Sequence, residues 1–400
     1  MKKCIALMSA FFMSLSFVAC KSNETAKDGG KSAPSEEVKS SELSQSEELS
    51  EASEAGVASE NSEAGEKTEA KGKKAILIVN GNLGDLGFFD SANRGMERLN
   101  KELGLEIQVI ETGDEEAKWE PALADAADDE KAEYIVAVSP SMVEPVQKIA
   151  PDYPEKKFIL IDNTVDFATD DLSNVYCATF KQNEGSFLAG AAAGLITENN
   201  KIGFIGGMDI PPINDFLVGY IQGAKEINPD IKVISTYTAD YYDPAKGKEH
   251  AIVQFGQGAD VLFAAAGPSG LGSIEAAVDN DKKIIGVDSD QSSIYQAKGD
   301  EKTAKHIITS MMKNVGDTIF RAIQKDLAGE LKWGAAESLG IKEKGVELAK
   351  NDIFKQAFDE EKQKKLEEIE EKVVNGEIKV DSAVGMDQEK LNELRNSVKP

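Results

Sequence analysis

Short aliphatic and β-branched runs recur from residue 75 to residue 287 with helix-like stretches between them, and this alternation constrains the fold more than any other feature. Ala75–Asn80, Glu106–Ile110, Tyr134–Val138, Phe158–Asp162 and Val175–Thr179 read as strands. Ser91–Leu103, Glu120–Asp128 and Met142–Ile149 carry apolar residues at three- and four-residue spacing, as helices covering a parallel sheet do. After a helical stretch at Glu184–Ile196 the rhythm restarts, with strands at Lys201–Ile205, Lys232–Tyr237, Val261–Ala265 and Ile284–Val287. Asp215–Ile227, Lys246–Gly256 and Ser273–Asp279 read as the helices between them. Two similar α/β halves are the economical expectation. In open parallel sheets ligands lie at the carboxyl ends of strands, and in a two-lobed chain both sets of ends can face one cleft.

The amino terminus reads differently. Lys2 and Lys3 precede an apolar run from Ile5 to Ala19, broken only by Ser9, Ser14 and Ser16, and the run stops at Cys20. A basic start, a short apolar core and a small residue before the cut describe a secretory signal over residues 1–19, too short to span a bilayer comfortably. Phe17-Val18-Ala19-Cys20 resembles a relaxed bacterial lipobox, with Phe where Leu is usual, so Cys20 is expected to become the acylated first residue. An ordinary signal peptide cut nearby is the alternative. Residues 20–73 are then a lipidated cysteine and a tether of Ser, Glu, Ala, Gly and Lys, which cannot bury enough apolar surface to offset its ordering entropy. With Cys4 removed and Cys20 acylated, Cys177 is alone, so no intrachain disulfide and no cysteine-rich metal site is expected.

The formal charge of −26 comes without a dense basic cluster, which argues against nucleic acid as a partner. His250 and His306, the two histidines, have no His or Cys neighbour at metal-ligand spacing, so neither a metal nor another cofactor is expected. A Gly-x-Ser-x-Gly elbow and a phosphate-binding loop are both missing from the sequence. Gly267-Pro268-Ser269-Gly270-Leu271-Gly272 follows a strand and precedes a helix, but its spacing departs from the dinucleotide pattern. It suits close approach of backbone to any ligand.

Two strand-end clusters remain. Gly84-Asp85-Leu86-Gly87-Phe88-Phe89-Asp90 places two phenylalanines in a polar, Gly-rich loop, where they either pack onto their own lobe or form a stacking platform for a flat ring. Asp288-Ser289-Asp290-Gln291 closes a strand of the second half. Its carboxylates either accept paired hydroxyl hydrogen bonds or cap a helix.

Together with Glu184-Gly185-Ser186-Phe187-Leu188-Ala189-Gly190, Lys201-Ile202-Gly203-Phe204-Ile205-Gly206-Gly207-Met208-Asp209 and Gly286-Val287-Asp288, these pieces resemble the basic membrane protein family of ABC-transporter substrate-binding lipoproteins. The likeness runs from about Ala75 to about Met386. It implies a type I periplasmic-binding-protein fold, two Rossmann-like lobes joined by three crossovers, enclosing a purine nucleoside. It also implies an N-terminal lobe over residues 74–179 with a return near 311–330, a C-terminal lobe over 180–310 with a return near 331–386, and a tail at 387–400.

By position, the resemblance implies that Phe88 or Phe89 stacks on the base, with Asp85 and Asn80 at its polar edge and Phe216 facing it from the other lobe. Asp290, or its neighbour Asp288, would accept the ribose hydroxyls, and Lys313 would donate to the sugar. Gly267 and Ser139 fall where strand-end loops approach the ligand. Where the family commonly has Asp-Lys-Ser-Phe-Asn this chain has Asp85-Leu86-Gly87-Phe88-Phe89, and Val138-Ser139-Pro140 stands where Val-Gly-Phe is frequent, so the pocket walls differ. The expected partners are an ABC permease with its ATPase subunits, and the bacterial cell membrane through Cys20 on its extracytoplasmic side; the chain itself is expected to be monomeric. A receptor for another flat or hydroxylated ligand such as riboflavin and a surface antigen or adhesin are the alternatives, with a nucleoside-cleaving enzyme behind them.

Overall fold

The computed structural model describes residues 70, 72–168 and 171–400; the signal segment, Cys20 and the tether as far as residue 69 lie outside the described residues. In chain order the first elements are β1 (Lys74–Val79), α1 (Phe88–Arg98, continued by a π-helical turn), β2 (Glu106–Glu111), α2 (Trp119–Asp128), β3 (Ala132–Val138), α3 (Val143–Ile149), β4 (Lys157–Ile161) and β5 (Val175–Phe180). They are followed by α4 (Gln182–Ile196), β6 (Lys201–Gly206), α5 (Pro211–Ile227), β7 (Lys232–Tyr237), α6 (Pro244–Gly256), β8 (Val261–Ala265), α7 (Pro268–Asp279) and β9 (Lys283–Asp288). The last part holds α8 (Gln291–Ala297), α9 (Glu301–Ala304), β10 (Ile307–Lys313), α10 (Val315–Leu327), β11 (Ala335–Leu339), β12 (Val346–Leu348), α11 (Asp352–Ala357), α12 (Glu360–Val374) and α13 (Gln388–Ser397).

Among the described residues two six-stranded sheets result, ordered β11-β5-β4-β3-β1-β2 and β12-β10-β9-β8-β6-β7. All pairings are parallel except that of β12 with β10. Every residue of β1 is buried, as a strand covered by helices on both faces requires, whereas the edge strand β2 alternates exposed and half-buried positions. The chain crosses between the sheets three times: from β5 to α4, from β10 to α10, and from β11 to β12. After the second crossing α10 packs on α1 of the first lobe, where a Cβ on Gly95 would stand 2.5 Å from the carbonyl oxygen of Gly316. Two helices this close need glycine at the contact.

Three expected boundaries move. Residues 335–339 were expected in the C-terminal lobe, but β11 pairs in parallel with β5 of the first sheet. Its alternating Ala-Ala-Glu-Ser-Leu pattern suits a short edge strand and carries no apolar run. Residues 387–400, expected as a tail, contain α13, capped by Asp387 through the Glu389 amide. Leu391 is buried against Val218 and Ala383, and the Val233 amide of edge strand β7 donates to the Val398 carbonyl at 2.8 Å. Lys73, expected within the tether, pairs with Glu133 at 2.8 Å and its carbonyl accepts the Glu106 amide, so the folded body starts before it.

Candidate functional site

The carboxyl ends of both sheets meet around a cavity of about 180 Å³. From the first lobe, Asn80 follows β1; it is buried, and its Oδ1 accepts no hydrogen bond from any described residue. Ser139 follows β3 with its Oγ likewise unpartnered, and Asp162 follows β4. The second lobe contributes Phe216 on α5, Tyr241 and Tyr242 after β7, Gly267 before α7, Asp288 at the end of β9 and Lys313 at the end of β10. Three non-glycine residues in this ring sit in left-handed backbone, Ser139 at φ 107°, Asp162 at 75° and Asp288 at 65°. Such conformations cost about 1–3 kcal/mol each and cluster where a site constrains the chain. Gly267 is left-handed as well, at φ 54°.

Phe88 and Phe89, expected in a loop, instead begin α1. Asp85 organises that start: its carboxylate accepts from the amides of Gly87 at 3.0 Å, Phe89 at 2.9 Å and Asp90 at 3.0 Å. Its burial pushes the carboxyl pKa up while those three amides pull it back, leaving it raised. Asp85 therefore lines the cavity with both oxygens already accepting from backbone amides. The two rings divide their roles. Both line the cavity, but Phe89 is 8% exposed and belongs to the main core, while Phe88 is half-buried at its edge and meets Phe89 edge to face at 5.5 Å.

Asp290 is not in the cavity. It caps α8, accepting from the Ser293 amide at 3.1 Å, from the hydroxyls of Ser292 and Ser293, and from Asn351 Nδ2 at 2.8 and 2.9 Å. Burial alone would raise its pKa, but these hydrogen bonds bring it below the ordinary carboxylate value. Of these two neighbours it is Asp288 that reaches the cavity, beside Asp85 and Asp162, buried and accepting no hydrogen bond among the described residues. Its pKa is pushed up to about 7, chiefly by burial, with the Lys313 ammonium opposing and the carboxylates of Asp85 and Asp162 adding to the rise.

Lys313 crosses the cleft to Asp162, with Nζ 2.8 and 2.9 Å from the two carboxylate oxygens. The same ammonium lies 5.3 Å from the Phe88 ring centre, 5.4 Å from Phe180 and 5.2 Å from Phe216. Further bonds join the lobes at the rim: Tyr242 donates to the Asn80 carbonyl at 3.1 Å, and Ser289 donates to the Gly87 carbonyl at 3.0 Å while accepting from Arg94 at 2.6 Å. Asp162, Tyr241 and Tyr242 were missed as site residues. Asp162 is an acid closing an expected strand, and Tyr241 and Tyr242 are an aromatic pair in the loop after another, signals of the kind that pointed to the residues found. Tyr241 packs against Gly207, where a Cβ would come within 2.2 Å of its ring.

The family model described as Bmp, ABC transporter substrate-binding protein PnrA-like, matches residues 72–383. The ABC transporter nucleoside-binding protein BmpA of Lactococcus lactis is 32% identical over 293 residues, covering 69% of this chain and 81% of that protein. An uncharacterized lipoprotein of Pyrococcus abyssi is 33% identical over 287 residues, 69% of this chain and 68% of that one. Among solved structures, an ABC transporter solute-binding protein of Aeropyrum pernix superposes with a TM-score of 0.70 at 26% identity, covering 81% of this chain and 98% of that one. Two parallel-rich α/β lobes of this kind are the type I periplasmic-binding-protein fold.

Proposed function

Since this chain belongs to the PnrA-like family of ABC transporter substrate-binding proteins, we propose that its cleft captures a nucleoside, a purine nucleoside foremost, and presents it to the permease of an ABC importer. One observation carries the reading: the cavity sets the Phe88 and Phe216 rings beside Asn80 Oδ1, a buried acceptor with no partner among the described residues, and the carboxylate of buried Asp288, for which no hydrogen bond is seen among them. A nucleoside supplies what such a cavity needs, a flat ring for the aromatic wall and hydroxyl and N–H donors for the acceptors. Asp288 takes the ribose hydroxyls, Lys313 donates to the sugar, Phe88 stacks on the base and Asn80 accepts from its edge. The L. lactis relative, named for nucleoside binding, supports the ligand class.

The chain acts as a receptor and not as an enzyme of nucleoside breakdown, in keeping with relatives named as binding proteins. Acylated Cys20 holds it on the outer face of the cell membrane, beside the permease and its ATPase, and the lipoprotein relative supports that placement. The test is mass spectrometry of small molecules released on denaturing the purified protein, followed by incubation with adenosine, guanosine and inosine. A released nucleoside, and binding without appearance of free base, is the expected result. Released flavin, or a flat thermal-shift response to all three nucleosides, would overturn it.

A further inference from the structure

The strand β6 is followed by Asp209, Ile210, Pro211, Pro212, Ile213 and Asn214, and within this segment Ile210, Pro212 and Ile213 line the cavity. Both ends of the lining stretch are held by one side chain from the far end of the sequence. Arg395 Nη2 lies 2.7 Å from Asp209 Oδ1, 2.7 Å from Asn214 Oδ1 and 2.5 Å from the Tyr237 hydroxyl. The guanidinium also lies over the Tyr237 ring, 5.2 Å from its centre. Asn214 Nδ2 donates to Asp209 at 2.9 Å and Tyr237 donates to Asn214 Oδ1 at 2.6 Å, which closes the network. The Arg395 side chain is 12% exposed and its bonds to Asn214 and Tyr237 are partly buried, whereas Asp209 is half exposed and its pairing with Arg395 is open to solvent screening. It sits on α13, beyond residue 383 where the family match ends.

We propose that Arg395 is a positioning residue for the ligand cleft: from α13 it pins the Asp209–Asn214 segment and so sets the wall that the base meets. A guanidinium nitrogen shared between an acid and an amide five residues on fixes the span between them, and the apolar side chains in between follow. The effect on affinity rests on the nucleoside reading; the effect on the segment does not.

The test compares the full chain with Arg395→Ala and Arg395→Lys, by amide hydrogen exchange without ligand and by titration with inosine and guanosine. The Ile213 and Asn214 amides, both bonded to the Ile210 carbonyl, report on the segment, and the Val233 amide, bonded to Val398, reports whether the carboxyl-terminal region stays docked. In Arg395→Ala, exchange at Ile213 and Asn214 is expected to quicken tenfold or more and nucleoside Kd to rise fivefold or more, with Val233 still protected and Arg395→Lys in between. Unchanged exchange at Ile213 and Asn214 would overturn the proposal. So would equal deprotection of Val233, or a loosened segment with wild-type Kd, since each leaves Arg395 a helix anchor only. Should the unaltered chain bind no nucleoside, the ligand reading falls by that result alone, and the exchange comparison still decides whether Arg395 pins the wall.

Discussion

Lys313 of the second lobe and Asp162 of the first meet across the cleft as a two-pronged ion pair, with side chains only 5% and 12% exposed. Removing one partner from a buried pair strands the other charge, at about 3–5 kcal/mol. Asp162→Asn and Lys313→Met are each expected to lower the melting temperature of the unliganded protein clearly. The joint replacement Asp162→Leu with Lys313→Met is expected to recover most of the loss, and a thermal melt of the three variants checks this. Additive losses would mean that the two residues act independently.

Asp288 and Asp290, two residues apart, are expected to part company on mutation. Charge-assisted hydroxyl contacts are worth roughly 1.5–3 kcal/mol each, so Asp288→Ala should weaken nucleoside binding by about one to three orders of magnitude and binding of the free base far less. Asp290→Ala instead removes the α8 cap, costing about 0.5–2 kcal/mol of stability with nucleoside affinity unchanged. Calorimetric titration and melting of both variants separate the two; a large affinity loss in Asp290→Ala would return the sugar to Asp290.

Phe88 and Phe89 divide in the same way. Phe88→Ala should cost on the order of 1–3 kcal/mol of nucleoside binding, the scale of base-aromatic stacking, with the unliganded melting temperature moving by only a few degrees. Phe89→Ala opens a core cavity and should cost about 3–5 kcal/mol of stability. If Phe88→Ala binds normally while Phe89→Ala does not, the stacking ring is Phe89.

The pKa of Asp288 near 7 gives a pH signature. The folded chain holds a proton there that the unfolded chain, with an ordinary carboxylate near 3.9, gives up. Stability from this group is therefore fullest below about pH 4, declines as pH rises to about 7, and is level above. The ionised carboxylate is the better hydroxyl acceptor, so nucleoside affinity should climb from pH 6 to pH 8. Melting and titration series on the unaltered chain and Asp288→Asn test this, and a matching pH trend in the variant would assign it to another group.

Cys20→Ser should release the protein from membranes while leaving the melting profile of the folded body unaltered, because an acyl chain contributes only through its buried methylenes. Fractionation in detergent-free buffer checks it. Retention of the variant would point to a different anchor.

Much of this was written along the chain. The aliphatic runs determined the order of strands and helices through the first nine strands, because a strand sandwiched by helices must be buried along its length and so largely apolar, as Ala75–Val79 of β1 are. A strand end pointed to Asp288, and the family resemblance to Asn80, Ser139, Gly267 and Lys313, all of which the fold brings to one cavity. β11 and β12 left no such trace, since short edge strands meet solvent on one side and carry mixed residues. Which acid serves the cleft was also beyond the sequence: Asp288 and Asp290 are the same residue type two positions apart. The left-handed turn at Asp288 and the start of α8 decide it, leaving one carboxylate in the cavity and giving the other a set of local donors. The pairing of Lys313 with Asp162 and the hold of Arg395 on Asp209 and Asn214 are likewise tertiary facts, because the partners lie 151, 186 and 181 residues apart and only the folded lobes set their distance.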